Sequence, residues 1–103
     1  MKKNTTALLD GSVTIEPEGD LVTALLPDLR TRLRDTVETG ARHLTIDLGG
    51  VSMVDSAGLG LLIATHNSLK RMGGELAVVK ASEDILQLFR AVRLHRHFSI
   101  SGK

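Results

Sequence analysis

Apolar residues recur along this chain in two rhythms, and the change from one to the other marks its elements. Around Val13 and Ile15 they alternate with polar neighbours, the two-residue period of a strand with one buried face. Thr5 to Leu9 and Ser12 to Glu16, separated by Asp10-Gly11, predict two short strands joined by a turn, because an Asp-Gly pair between β-formers is a strong hairpin signal. Pro17-Glu18-Gly19-Asp20 then breaks the pattern as a loop. From about Thr23 the step changes to three and four residues. Leu26, Leu29, Leu33 and Val37 form one helical stripe, with Thr23 as candidate cap, Pro27 tolerated near the first turn and Gly40 as the stop. Arg30, Arg32, Arg34 and Glu38 fall on the opposite side, which reads first as a solvated helix face and second as a patch for a partner.

His43 to Leu48 has little charge at its centre and predicts a strand inside the sheet. Gly49-Gly50 bends the chain, and Val51 to Val54 leads to a second helix that runs to about Met72, where Lys70, Arg71 and Gly73-Gly74 suit a helix end. Its expected core face is Leu62, Thr65, Leu69 and Met72. Leu59, Ile63 and His66 form a second stripe that one sheet face need not cover, and if exposed it is a docking surface. Glu75 to Val79 predicts another strand. Ser82-Glu83-Asp84 starts a third helix with Ile85, Leu86, Leu88, Phe89 and Val92 as its apolar positions. His95 to Ile100 reads as a short edge strand or a tail. Two strands followed by regular alternation of helix and strand imply an α/β fold with a mainly parallel sheet and right-handed crossovers.

At 103 residues the chain is expected to be one domain, 1–103, with residues 1–4 and 101–103 as loose ends. Thirteen basic against twelve acidic residues leave no electrostatic footprint for nucleic acid, and two phenylalanines are the whole aromatic complement for stacking bases. The absence of cysteine excludes a disulfide framework and thiolate metal sites. Thr5 to Leu9 is too short for a signal peptide core, and no apolar run approaches the roughly 20 residues of a membrane span, so a cytoplasmic chain without membrane insertion is expected.

Enzymatic motifs are missing as well. His95-Arg96-His97 has no third ligand in view and an intervening cation, so no metal is expected. The position two residues before Ser56 is not the glycine of a nucleophile elbow, Gly58-Leu59-Gly60 has Ile63 where a dinucleotide fingerprint needs its third glycine, and no Gly-Lys-Ser/Thr phosphate loop occurs. No cofactor and no catalytic residue are expected.

What remains is the junction at Asp55-Ser56-Ala57-Gly58-Leu59-Gly60, where the apolar approach ends and the second helix begins. Either Asp55 or Ser56 can cap that helix, which by itself would account for both residues. The backbone N–H groups of Ala57, Gly58 and Leu59 have no partner within the helix, and with its dipole they would welcome an anion, including a phosphate on Ser56. The small residues around Ser56 leave its hydroxyl open to a large partner.

This hexapeptide, with Leu48 and Val51 spaced before it, resembles the signature of the STAS domain, most closely of bacterial anti-sigma factor antagonists, and the likeness runs from about Thr5 to about Ile100. The resemblance implies a mixed, mainly parallel sheet with helices packed largely on one face. It implies that Ser56 is phosphorylated by a partner that is both serine kinase and anti-sigma factor, of the histidine-kinase-like ATPase superfamily, and dephosphorylated by a PP2C-type phosphatase. Asp20, Asp55, Ala57 and Gly58 become the surroundings of the phosphorylated serine, and Leu59, Gly60, Ile63 and His66 the partner surface. Two departures stand out: Gly19 occupies the place of a larger apolar residue before Asp20, and Ala57 the place of a common Ser or Thr. The same junction resembles cytosolic STAS subunits of phospholipid-transporting ABC systems, and output modules of partner switches that do not end in a sigma factor.

Overall fold

A computed structural model describes residues 5–7 and 11–103, with side chains from Gly11 onward. Strand β1 (Thr5–Ala7) runs antiparallel to β2 (Ser12–Ile15), with Thr5 opposite Ile15 and Ala7 opposite Val13. The expected hairpin is there, although Leu8 to Asp10, including the first turn residue, lie outside the described residues, as do residues 1–4. After the Pro17–Asp20 loop, a short 3-10 turn at Thr23–Leu25 leads into α1 (Leu26–Glu38). Pro27 sits in its first turn, where a missing N–H costs nothing. Thr23 does not cap this helix; its side chain is engaged elsewhere. Gly40, two residues beyond the helix, adopts a φ of +107° that side chains disfavour, which turns the chain toward β3 (His43–Asp47).

Helix α2 (Ser56–Arg71), β4 (Glu75–Ala81), α3 (Glu83–Ala91), a 3-10 turn at Leu94–Arg96 and β5 (Ser99–Gly102) complete the order. Ser82 caps α3 by accepting the Ile85 N–H, with Glu83 and Asp84 complementing the dipole as the sequence predicts. The ambiguous tail resolves into both a 3-10 turn and an edge strand, and residues 101 and 102, expected among the loose ends, belong to that strand. Strand β4 runs two residues further than expected, to Ala81, because a register shift between Val78 and Ala81, with Lys80 at φ +60°, lets it keep pairing with β5.

Among the described residues the five strands form one sheet in simple sequence order, β1-β2-β3-β4-β5, and β2 to β5 are parallel. Each parallel strand joins on the same side of its predecessor, so right-handed crossovers place all three helices on one face. Burial agrees. The helix-covered face carries Ile15, Leu44, Ile46, Leu76 and Val78, all buried, whereas Thr14, Thr45 and Ala77, in register across the other face, are half-exposed. The helices answer with Leu26, Leu29, Leu33 and Val37, with Leu62 and Leu69, and with Ile85 and Phe89. Met72 and Val92, expected in the core, lie instead at the helix C-terminal boundaries and are 41% and 45% exposed.

Candidate functional site

At the C-terminal end of β3 the chain leaves the sheet and approaches α2 through an extended segment, and Leu21 runs beside it. The two form an isolated parallel bridge, Leu21 with Val54, closed by hydrogen bonds from the Leu21 N–H to the Met53 carbonyl (2.9 Å) and from the Asp55 N–H to the Leu21 carbonyl (3.0 Å). Gly58 makes this crossing possible. A Cβ there would stand 2.3 Å from the Leu21 carbonyl oxygen, so the first turn of α2 and the Leu21 backbone meet at a distance only glycine permits.

Two carboxylates fasten the crossing in opposite directions. Asp20 Oδ1 accepts the N–H groups of Ser52 (2.8 Å) and Met53 (3.2 Å), holding the approach to α2. Asp55 reaches back: Oδ1 accepts the Gly58 N–H (2.9 Å), capping α2, and Oδ2 accepts both the backbone N–H and the hydroxyl of Thr23, each at 3.0 Å. These bonds, the one from Gly58 foremost and then the Thr23 N–H, hold the Asp55 carboxyl below its usual range against the opposing effect of burial. It is ionised at neutral pH.

The expectation of free donors at the helix start is therefore corrected. Gly58 N–H is taken by the Asp55 side chain, Leu59 N–H by the Asp55 carbonyl at 3.0 Å, and Ala57 N–H also bears on the Asp55 carboxylate. An acidic side chain at the cap position already occupies the place that an external anion would have taken.

Ser56 is the first residue of α2, exposed, and its hydroxyl makes no hydrogen bond to a described residue. At about 100° per residue, Gly60 and Ile63 project within roughly 40° of it, nearly opposite the buried stripe of Gly58, Leu62, Thr65 and Leu69. Ile63 is 40% exposed, and Met53 and Leu25, on the segments joined by the Asp55–Thr23 and Asp20 bonds, are 61% and 53% exposed. The other two residues of the expected partner stripe part company with this face. Leu59 is half-buried and packs on the core; His66 is half-buried with its ring 5.4 Å from that of Phe98 and 6.2 Å from that of His97. Burial, then Lys70 and His97, lower the pKa of His66. The helical wheel separates the stripes by only about 60–80°, which hydrophobicity alone does not resolve.

Sequence reasoning missed Thr23 as a ligand of Asp55 and missed Leu25 and Met53 as exposed apolar residues on the two segments that meet at the crossing. A Thr before a helix reads as its cap, and nothing local says that its partner lies 32 positions away.

The STAS domain matches residues 4–103. The chain is 38% identical to the anti-sigma-B factor antagonist of Bacillus subtilis over 94 residues, which covers 91% of this chain and 84% of the relative. With the protein of the same name from Staphylococcus aureus it shares 30% identity over 89 residues, 86% of this chain and 82% of the other. Among solved structures, the anti-sigma factor antagonist SpoIIAA in its unphosphorylated form superposes with a TM-score of 0.74 at 18% identity, covering 93% of this chain and 84% of that one. The phosphorylated form of SpoIIAA from Bacillus gives the same TM-score and identity over 96% of this chain and 90% of that one.

Proposed function

Because the chain belongs to the STAS domain family, among its anti-sigma factor antagonists, we propose that its unphosphorylated form binds a serine-kinase anti-sigma factor and thereby releases a sigma factor, and that phosphorylation of Ser56 switches this binding off. The partner is an ATPase of the histidine-kinase-like superfamily that both phosphorylates and is bound by this chain, and a PP2C-type phosphatase restores the binding form. On this reading the chain is substrate and ligand, without catalysis of its own, and acts in the cytoplasm; no helix among the described residues is long and apolar enough to cross a membrane.

One observation carries the proposal: Ser56 stands exposed at the start of α2, without a side-chain hydrogen bond to any described residue, on the helix face farthest from the core, which it shares with Gly60 and Ile63. A phosphate there adds roughly −1.5 to −2 charges. The adjacent Asp55 carboxylate already uses the nearby donors, so the new charge is left to the partner, and a penalty of about 3 kcal/mol lowers affinity by roughly two decades.

The test is recovery of tagged chain from its own cells, with the accompanying ATPase identified by mass spectrometry. Ser56→Ala should enrich a histidine-kinase-like ATPase and Ser56→Asp should lose it. Equal recovery by both variants would refute the switch, and a transporter ATPase held by both would identify a constitutive subunit.

A further inference from the structure

Beyond the Ser56 face, α1 and α2 enclose a groove of about 410 Å³. Its floor is apolar and well packed, made by Leu33 and Val37 of α1 and Leu61 of α2. Its rim is cationic: Arg30 and Arg34, one turn apart on α1, face Arg71 on α2, with Glu38 as the acid on the same rim. Among the described residues none of the three arginines is in an ion pair; the Arg71 guanidinium reaches only the Ser68 hydroxyl, at 3.4 Å. Like charges one turn apart on a helix repel, as Arg30 and Arg34 do, and Glu38, one turn beyond Arg34, offsets that repulsion without forming an ion pair among the described residues. A chain whose thirteen cations nearly match its twelve acids thus concentrates positive charge beside an apolar trough. Met72, 41% exposed, extends the apolar surface at one end.

We propose that this groove is a second contact for the partner that binds the Ser56 face, and that it receives an acidic amphipathic helix of that partner. Guanidinium forks match carboxylates in pairs, and a trough between two helices accepts the apolar side of a third while carboxylates flank it at the rim. Ala64, on the groove, lies about 12 Å along α2 from Ser56 and roughly 80° around it, so one partner surface can span both.

This inference rests on the Ser56 reading for the identity of the partner, and the test separates the two. The ATPase recovered with the wild-type chain is purified and its affinity measured against Arg30→Glu/Arg34→Glu, Arg71→Glu and Ser56→Asp, with circular dichroism confirming the fold of each. The expected result is a loss of about tenfold or more for the arginine reversals at low salt, and a shallower salt dependence than wild type up to about 0.5 M. Arg30→Gln/Arg34→Gln should fall between. Arginine reversals that bind like wild type, with Ser56→Asp weakened, overturn the groove and keep the switch; the opposite pattern keeps the groove and overturns the switch. If neither variant matters, or no ATPase is recovered, both fall.

Discussion

Alanine in place of glycine should act in opposite directions at two positions of α2 only two residues apart. In a helix interior the change ordinarily stabilises by about 0.8–1 kcal/mol, because glycine loses more backbone freedom on folding. Gly60 is exposed and a Cβ there meets nothing within 4 Å, so Gly60→Ala should keep most of that gain. At Gly58 the Cβ would stand 2.3 Å from the Leu21 carbonyl oxygen and 2.9 Å from the Leu21 Cβ. Ordinary contact requires the two backbones to separate by roughly 1 Å. Leu21 cannot yield freely, since it is fully buried and bonded at both its N–H and its carbonyl to the Met53–Asp55 segment. Overpacking of about 1–3 kcal/mol, together with roughly 1 kcal/mol for strained hydrogen bonds, outweighs the helix gain and leaves Gly58→Ala about 1–3 kcal/mol less stable. For a domain of this size that is a fall in Tm of roughly 5–20 °C, against a rise of about 3–8 °C for Gly60→Ala. Thermal unfolding followed by circular dichroism decides it. A Gly58→Ala variant melting at or above wild type would refute the claim that the Leu21 crossing depends on this glycine. On the proposed function, Gly60→Ala should in addition bind the ATPase recovered with the wild-type chain more weakly despite its greater stability, since its methyl stands on the Ser56 face.

Two further outcomes follow from the charged and titratable groups. His66 is held below its ordinary value of 6.5 by burial, then by Lys70 and His97, so the unfolded chain takes up a proton there before the folded chain does. Stability should therefore decline as pH falls from about 6.5 toward the folded pKa and then level off for this group, and His66→Phe should flatten urea-denaturation midpoints across that window; an unchanged slope would rule His66 out as the cause. Asp20→Ala removes the acceptor of the Ser52 and Met53 N–H groups, and those two amides should lose protection in hydrogen exchange while the β3–β4 core keeps its own; unchanged protection would show that Asp20 does not hold the approach to α2.

The elements were legible because their signals are local and repeat. The Leu26–Val37 stripe, Pro27, Gly40 and the Ser82 cap each act within a turn or two of themselves, and the structure uses each of them as its chemistry suggests. The site was legible only in part. Ser56 follows directly from its neighbours, but the state of the helix start depends on Asp55, whose second carboxylate oxygen is committed to Thr23 across 32 residues. Likewise Leu59 and His66 share hydrophobic spacing with Ile63, and what buries the first two is the core packing of Leu59 and the contact of His66 with His97 and Phe98, supplied by the last strand connection. In sequence the arginines of α1 favour a solvated face over a partner patch, because nothing local shows that α2 places Arg71 across the groove from them.

The arrangement of the two aspartates also bears on how a phosphate can act. Asp20 and Asp55 each hold the segment that the other belongs to, so the Leu21–Thr23 stretch and the Ser52–Gly58 stretch are tied twice by charge-assisted bonds and once by the Leu21–Val54 bridge. Ser56 takes part in none of these ties through its side chain. A group added to its hydroxyl therefore breaks no side-chain hydrogen bond among the described residues, and the Gly58 and Thr23 donors nearby are already engaged by Asp55. On the proposed switch its free energy then appears at the partner, as the desolvation and repulsion of a charge brought into an interface. On this argument phosphorylated and unphosphorylated chains should share one backbone, with amide chemical shifts changing around Ser56 and remaining nearly constant across β2, β3 and β4. Shift changes spread through the sheet would mean that the switch works by refolding the domain, and the two aspartates would lose the role assigned to them.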